Sequence, residues 1–100
     1  MPSSAPNILL ITSDQQHWSQ LGCLNPEVHT PHLDRLAAEG RLFRRAYCPN
    51  PTCTPTRSSI VTGQMPSVHG AWALGTGLRP EVPTVGKHLG ELGYRCELIG

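Results

Sequence analysis

The residues with the clearest chemical potential lie in segment 51–63, which reads PTCTPTRSSIVTG. A cysteine, Cys53, is followed at close spacing by Pro55 and Arg57. Proline suits the first turn of a helix and glycine the residue after the last, so a helix is predicted from near Pro55 to Gly63. If that helix also covers Cys53, Arg57 lies on the same side of it. Cys53 is therefore a candidate nucleophile or oxidation-sensitive thiol; the alternative is an ordinary helix that begins at a cysteine by chance.

A second polar pair, Asp14 and Gln15, follows the continuous apolar run of residues 7–12. Such a run predicts a strand that is buried on both faces of a parallel sheet. Ligands of open α/β sheets bind beyond the carboxyl ends of the strands, which is where Asp14 falls. An aspartate that only caps a loop is the alternative.

Segment 51–63 closely resembles the signature of the type I sulfatases, the formylglycine-dependent members of the alkaline-phosphatase-like superfamily. The resemblance implies that a formylglycine-generating enzyme oxidises Cys53 to Cα-formylglycine, whose aldehyde hydrate is the catalytic nucleophile. One hydroxyl attacks sulfur and displaces the alcohol; the other then loses its proton and expels sulfate as the aldehyde re-forms. Arg57 would stabilise the modified residue. The implied function is hydrolysis of a small-molecule sulfate ester.

The start of the chain is also similar to this family, in which an apolar run precedes two adjacent oxygen ligands of a divalent cation. The resemblance implies that Asp14, Gln15 and the modified Cys53 bind the metal. The family's usual Asp-Asp pair is Asp-Gln here. An amide oxygen still suits a hard cation, so Ca²⁺ is the expected ion, with Mn²⁺ and Mg²⁺ as alternatives.

Two other functions stay open. The Asp-Gln-Gln sequence at residues 14–16 is similar to a bacterial branch that includes sulfatases and phosphonate monoesterases, so a phosphonate monoester or phosphodiester hydrolase is the nearest alternative. An alternative of another class is an inactive, non-enzymatic fragment. Segment 93–100 resembles the beginning of the family's second signature, whose Lys and His would follow Gly100. The 100 residues alone are therefore expected to be inactive.

The implied fold is α/β, the N-terminal part of an alkaline-phosphatase-like layered fold with a mostly parallel central sheet. Residues 1–6 are predicted to form a tail, and residues 7–100 the first part of a sulfatase domain that is cut within the second signature. Strands are predicted at 7–12 and 94–99, and a short strand or extended arm at 42–47. A further helix is predicted at 30–40, with Thr30 as its N-cap and a left-handed Gly40 at its end. Its buried stripe is predicted to consist of Leu33, Leu36 and Ala37. Another helix is predicted at about 83–92 and is followed by Gly93. Residues 64–82 are predicted to be a connection.

Composition excludes several partners. Eight Lys and Arg residues oppose seven Asp and Glu residues, which gives a net charge of +1. This balance predicts no nucleic acid partner. The apolar run near the N-terminus is too short for a signal-peptide core or a membrane span, so a cytoplasmic protein without membrane contact is expected.

Overall fold

The structure, a computed structural model, describes residues 5–100. The predicted tail therefore lies mostly outside the described residues. The described part contains four helices: α1 (Pro31–Glu39), α2 (Cys53–Thr62), α3 (Pro66–His69) and α4 (Val85–Glu91). None of the described helices has the length and apolar character that a membrane crossing needs. The chain divides into two compact units, Pro6–Ala46 and Tyr47–Gly100, which are described separately below.

In the unit Pro6–Ala46, α1 begins where the sequence predicts, with Thr30 as N-cap residue and Pro31 in the first turn. The Thr30 side chain does not cap the helix. Its hydroxyl instead accepts a hydrogen bond from the Gly22 amide at 2.7 Å and donates one to Asp34 Oδ1 at 2.9 Å. Asp34 Oδ1 also accepts from the Cys23 amide at 2.9 Å. The first turn of α1 thus holds the preceding loop in place.

Two expectations for α1 were wrong. Gly40 has φ −112° and not a left-handed conformation. Its amide donates to the Leu36 carbonyl at 2.9 Å, so the last turn closes on an ordinary helical hydrogen bond without positive φ. The predicted apolar stripe is also not buried: Leu33 is 46% exposed and Leu36 is 66% exposed. The helix has an apolar face, but no described element covers it fully.

The unit Tyr47–Gly100 contains the small core. Its most buried residues are Pro55 and Ser58 on α2, His69 at the end of α3, and Ala71 and Val82 in the connections. Helix α2 contacts both α3 and α4. The sequence predicted only a connection over residues 64–82, and the one-turn helix α3 is an addition to it. Helix α2 is therefore the central element of this unit.

Glycines end α2 and α4 as predicted. Gly63 has φ 69°, in the left-handed region, and its amide donates to the Ser59 carbonyl at 2.8 Å. Gly93 has φ 87°. The Tyr94 amide donates to the Leu89 carbonyl at 2.9 Å, which together with the bond from the Gly93 amide to Gly90 forms a Schellman motif after α4.

The predicted sheet is not confirmed. Residues 5–100 contain no strand, and the predicted strands at 7–12 and 94–99 and the arm at 42–47 are irregular segments without one. A strand exists only through backbone hydrogen bonds to a neighbouring strand. Within the described part of the chain, no backbone hydrogen bond joins 7–12, 42–47 or 95–99 to another segment. Their apolar side chains stay exposed; Leu9, for example, is 83% exposed.

Candidate active site

Cys53 is the first residue of α2. It is an exposed free cysteine. The preceding Thr52 is extended, with φ −100° and ψ 153°, and its side chain makes no cap hydrogen bond to the helix. The first amide groups of a helix have no partner within it, and they carry the positive end of the helix dipole. Cys53 is thus accessible to solvent beside a helix end that favours negative charge.

Arg57 lies four residues after Cys53 on the same helix. The condition set by the sequence is met, because α2 covers both residues. Residues four positions apart are neighbours on a helix surface. Both side chains are exposed, so the thiol and the guanidinium lie on one solvent-facing side of α2. The structure brings these two predicted site residues together.

The loop before α2 is fixed by contacts that the sequence analysis did not identify. Asn50 Oδ1 accepts a hydrogen bond from the Thr52 amide at 2.9 Å, which forms an Asx turn. The Thr56 hydroxyl, on the second turn of the helix, donates to the Asn50 carbonyl. This Thr56 contact is structural, because it holds the loop that leads into Cys53. The available signal was an Asn followed two residues later by a Thr, a spacing at which the Asn side chain can accept from the backbone amide.

Asp14 and Gln15 lie in a bend in the unit Pro6–Ala46, and both are exposed. Gln15 has φ 49°, a left-handed conformation that is uncommon for a residue with a side chain. The pair offers a carboxylate and an amide oxygen on adjacent residues, which are the donor types that a hard divalent cation takes. The donor chemistry therefore fits the predicted ion.

The metal ligand set as a whole stays a prediction. Among residues 5–100, no three or more His, Cys, Asp or Glu side chains form a group that could hold a metal ion. The predicted set contains one such carboxylate, Asp14, together with an amide and a cysteine that must first be modified.

The sulfatase family model matches residues 6–100 of the chain. The ulvan-active sulfatase of Formosa agariphila is 39% identical over 99 residues, which are 98% of this chain and 20% of that protein. Human N-acetylgalactosamine-6-sulfatase is 47% identical over 66 residues, 65% of this chain and 13% of that protein. Mouse steryl-sulfatase is 38% identical over 107 residues, 95% of this chain and 17% of that protein.

No solved structure matches the chain. The chain spans about a fifth or less of the length of these relatives. Within that span, the match includes both the Cys53–Arg57 signature and the Asp14–Gln15 pair, since both lie inside residues 6–100. The family model covers nearly every residue, and the chain belongs to the sulfatase family.

Proposed function

We propose that the whole protein hydrolyses sulfate esters to an alcohol and sulfate. Cys53, oxidised to formylglycine by a formylglycine-generating enzyme, is the nucleophile in this proposal. Membership of the sulfatase family supports the reaction class and implies the alkaline-phosphatase-like fold. The observation that carries the assignment of the nucleophile is the exposure of Cys53 at the first residue of α2, with Arg57 one turn later.

The geometry of α2 supports a role for the chain's own residues in binding the substrate anion. Cys53 and Thr54 occupy the first two helical positions, where backbone amides have no partner within the helix. Pro55, next in the helix, has no amide proton to leave unpaired. The Arg57 guanidinium adds a fixed positive charge on the same side. These groups would orient a sulfate ester with its negative oxygens toward the helix end and its sulfur toward residue 53.

Asp14 and Gln15 would hold the divalent cation, Ca²⁺ by preference. When bound, the cation supplies Lewis-acid stabilisation of negative charge on the ester oxygens. The carboxylate of Asp14 contributes the negative charge of the pair, and the Gln15 amide contributes a neutral oxygen. We therefore expect Asp14→Ala in the whole protein to abolish activity and Gln15→Ala to weaken cation binding less severely. Glu27→Ala, which removes another exposed carboxylate of the same unit, is the matched control.

The second candidate is hydrolysis of a phosphonate monoester or a phosphodiester by the same residues. The observation that favours it is Gln15, where the family's common pattern has a second aspartate. Sulfate monoesters and phosphodiesters both carry a single negative charge, so a helix end, an arginine and a cation serve either substrate.

Peptide mass spectrometry tests the modification of Cys53. The whole protein is made with a formylglycine-generating enzyme, digested with trypsin and treated with iodoacetamide. The tryptic peptide 46–57 contains both Cys48 and Cys53, so it carries its own control. We expect Cys48 to be alkylated, and residue 53 to be lighter by the difference between CH₂SH and CHO. Alkylation of both cysteines, under conditions in which a known sulfatase is converted, would refute the assignment.

Activity assays separate the two reactions. We expect the modified protein to hydrolyse a chromogenic aryl sulfate, and Cys53→Ala to lower kcat/KM by at least about a thousandfold because the covalent step is lost. Cys48→Ala should leave the rate unchanged. Faster turnover of an aryl phosphonate or of a phosphodiester than of the sulfate would select the second candidate instead. Full activity of Cys53→Ala would exclude both.

A further inference from the structure

His69 is a completely buried polar side chain, 0% exposed, at the C-terminal end of α3. A buried imidazole is stable only if its ring nitrogens have partners. Both have one. Nδ1 lies 3.1 Å from the Ala71 amide nitrogen, and Nε2 lies 3.0 Å from Ser59 Oγ. The ring therefore connects α2, through Ser59, with the turn that follows α3.

These partners fix the protonation of the ring. The Ala71 amide can only donate, so Nδ1 must accept and carries no proton. A neutral imidazole then carries its proton on Nε2, which donates to Ser59 Oγ. The packing thus selects the Nε2–H tautomer of His69.

The connected helix carries the reacting residues. Ser59 lies two residues after Arg57 and six after Cys53 on α2. The inner side of the same helix is fixed by Pro55 and Ser58, which are buried. The helix is short and ends at Gly63, so a hydrogen bond to its middle affects the placement of both ends.

We propose that His69 is a positioning residue for Cys53 and Arg57. Its Nε2–H holds Ser59, and thereby α2, at the angle that presents residue 53 to substrate. The kinetic part of this proposal rests on the proposed function, whereas the tautomer and the anchoring of α2 do not.

Four variants separate the two hydrogen bonds of the ring. His69→Gln keeps an N–H donor that reaches Ser59 but gives up the ring's acceptor for the Ala71 amide. His69→Asn keeps an acceptor close to the Ala71 amide but is too short to reach Ser59. Ser59→Ala removes the acceptor of the Nε2–H bond. Ser67→Ala, at an exposed serine of α3, is the matched control for Ser59→Ala.

NMR and hydrogen exchange test the anchoring without any substrate. Long-range ¹H–¹⁵N spectra of the wild-type protein should show His69 protonated on Nε2 alone. Amide exchange of residues 57–62 should accelerate about tenfold in Ser59→Ala and His69→Asn, as expected for loss of a buried hydrogen bond, and much less in His69→Gln and Ser67→Ala. A proton on Nδ1, or unchanged exchange in Ser59→Ala, would overturn the proposal.

Kinetics distinguish positioning from a purely structural role. With residue 53 equally modified in all variants, kcat for the aryl sulfate should fall about tenfold to a hundredfold in Ser59→Ala and His69→Asn, because a small misplacement of the nucleophile slows the reaction. KM should stay within about threefold, and His69→Gln should recover most of kcat. Equal losses in kcat for His69→Gln and His69→Asn would contradict positioning through Ser59. If the wild-type protein hydrolyses neither ester, the proposed function fails, and the spectra and exchange rates still decide the anchoring.

Discussion

Gln15 combines a predicted ligand role with an uncommon backbone conformation. Among residues 5–100 it is the non-glycine residue with positive φ, at 49°. A left-handed conformation costs a residue with a Cβ about 1 kcal/mol or more relative to glycine. Such conformations often occur at functional sites, where the surrounding structure maintains them. The bend at Asp14 and Gln15 is therefore maintained at an energetic cost.

Substitutions at Gln15 separate its backbone from its side chain. We expect Gln15→Gly to keep or raise stability by up to about 1 kcal/mol, since glycine adopts positive φ without strain. Gln15→Val should lower stability by about 1–2 kcal/mol, because a β-branched residue tolerates positive φ poorly. Denaturation of the whole protein measures both effects.

The Gln15→Gly variant also tests the ligand role. Calorimetric titration with Ca²⁺ should show weaker binding in Gln15→Gly despite its undisturbed backbone, because the amide oxygen is gone. Gln15→Asn, which keeps an amide and tolerates positive φ, is the control variant. Unchanged Ca²⁺ affinity in Gln15→Gly would remove Gln15 from the ligand set.

At this scale, the sequence predicts those site residues whose proposed chemistry depends on spacing along the chain. Cys53 and Arg57 are four residues apart, and Asp14 and Gln15 are adjacent, so a linear motif contains each pair. The hydrogen bond between Ser59 and His69 spans ten residues. It depends on the left-handed turn at Gly63 and on the placement of α3 that follows it. No linear motif names the partner of His69.

At the scale of elements, the contact between the loop at Gly22 and helix α1 is unusually close. An added Cβ at Gly22 would overlap with Asp34 Oδ2 and lie 2.8 Å from the Val28 carbonyl oxygen. We expect Gly22→Ala to lower stability by about 1–3 kcal/mol, because the loop or the Asp34 side chain must move. Hydrogen exchange of the Gly22 and Cys23 amides, which bond to Thr30 and Asp34, reports this directly.

Gly77→Ala is the control for this prediction, since an added Cβ there would meet no atom within 4 Å. Its free energy of unfolding should change by less than about 0.5 kcal/mol, and its amide exchange rates should change correspondingly little. Equal behaviour of the two variants would mean that the loop at Gly22 is less tightly packed against α1 than its geometry indicates.

Helix α4 contains two glycines that weaken it and is followed by one that ends it. An added Cβ at Gly86 or Gly90 would meet no atom within 4 Å. We expect Gly86→Ala and Gly90→Ala each to stabilise α4 by about 0.5–1 kcal/mol, because alanine loses less backbone entropy. Slower amide exchange in residues 88–92 would measure this.

Gly93→Ala places the same substitution just beyond the helix. With φ 87°, Gly93 holds a conformation that alanine adopts at a cost of about 1–2 kcal/mol. This variant should accelerate exchange in α4. Amide exchange in α4 should therefore slow in Gly90→Ala and accelerate in Gly93→Ala. These opposite changes distinguish an effect of backbone conformation from a general effect of the added methyl group.

The elements show which structure a sequence specifies locally. Prolines and glycines marked the ends of α1, α2 and α4 to within about two residues, because caps act on neighbouring backbone groups. The apolar stripe of α1 and the run at 7–12 indicated only that these faces need partners. Whether a partner is present depends on residues far away in the chain, and in residues 5–100 the faces stay largely exposed.

For the whole molecule, exposed apolar surface is the dominant property. Leu9 and Ile11 are 83% and 79% exposed, and Leu98 and Ile99 are 98% and 90% exposed. Contiguous apolar patches on the surface of a protein favour association with other surfaces. The chain also matches no more than about a fifth of the length of the relatives named above. Both observations bear on how residues 1–100 behave when they are produced alone.

We expect residues 1–100 alone to be poorly stable, to associate and to hydrolyse neither an aryl sulfate nor an aryl phosphonate, even when Cys53 is modified. Residues of a catalytic unit act together, so a part of the unit commonly loses orders of magnitude in rate. Thermal denaturation should lack a cooperative transition, and a dye that binds apolar surface should fluoresce strongly. Leu9→Gln and Leu98→Gln should reduce that fluorescence, whereas Ser67→Ala should not. A cooperative transition together with turnover of either ester would contradict this prediction and make residues 1–100 a complete small hydrolase.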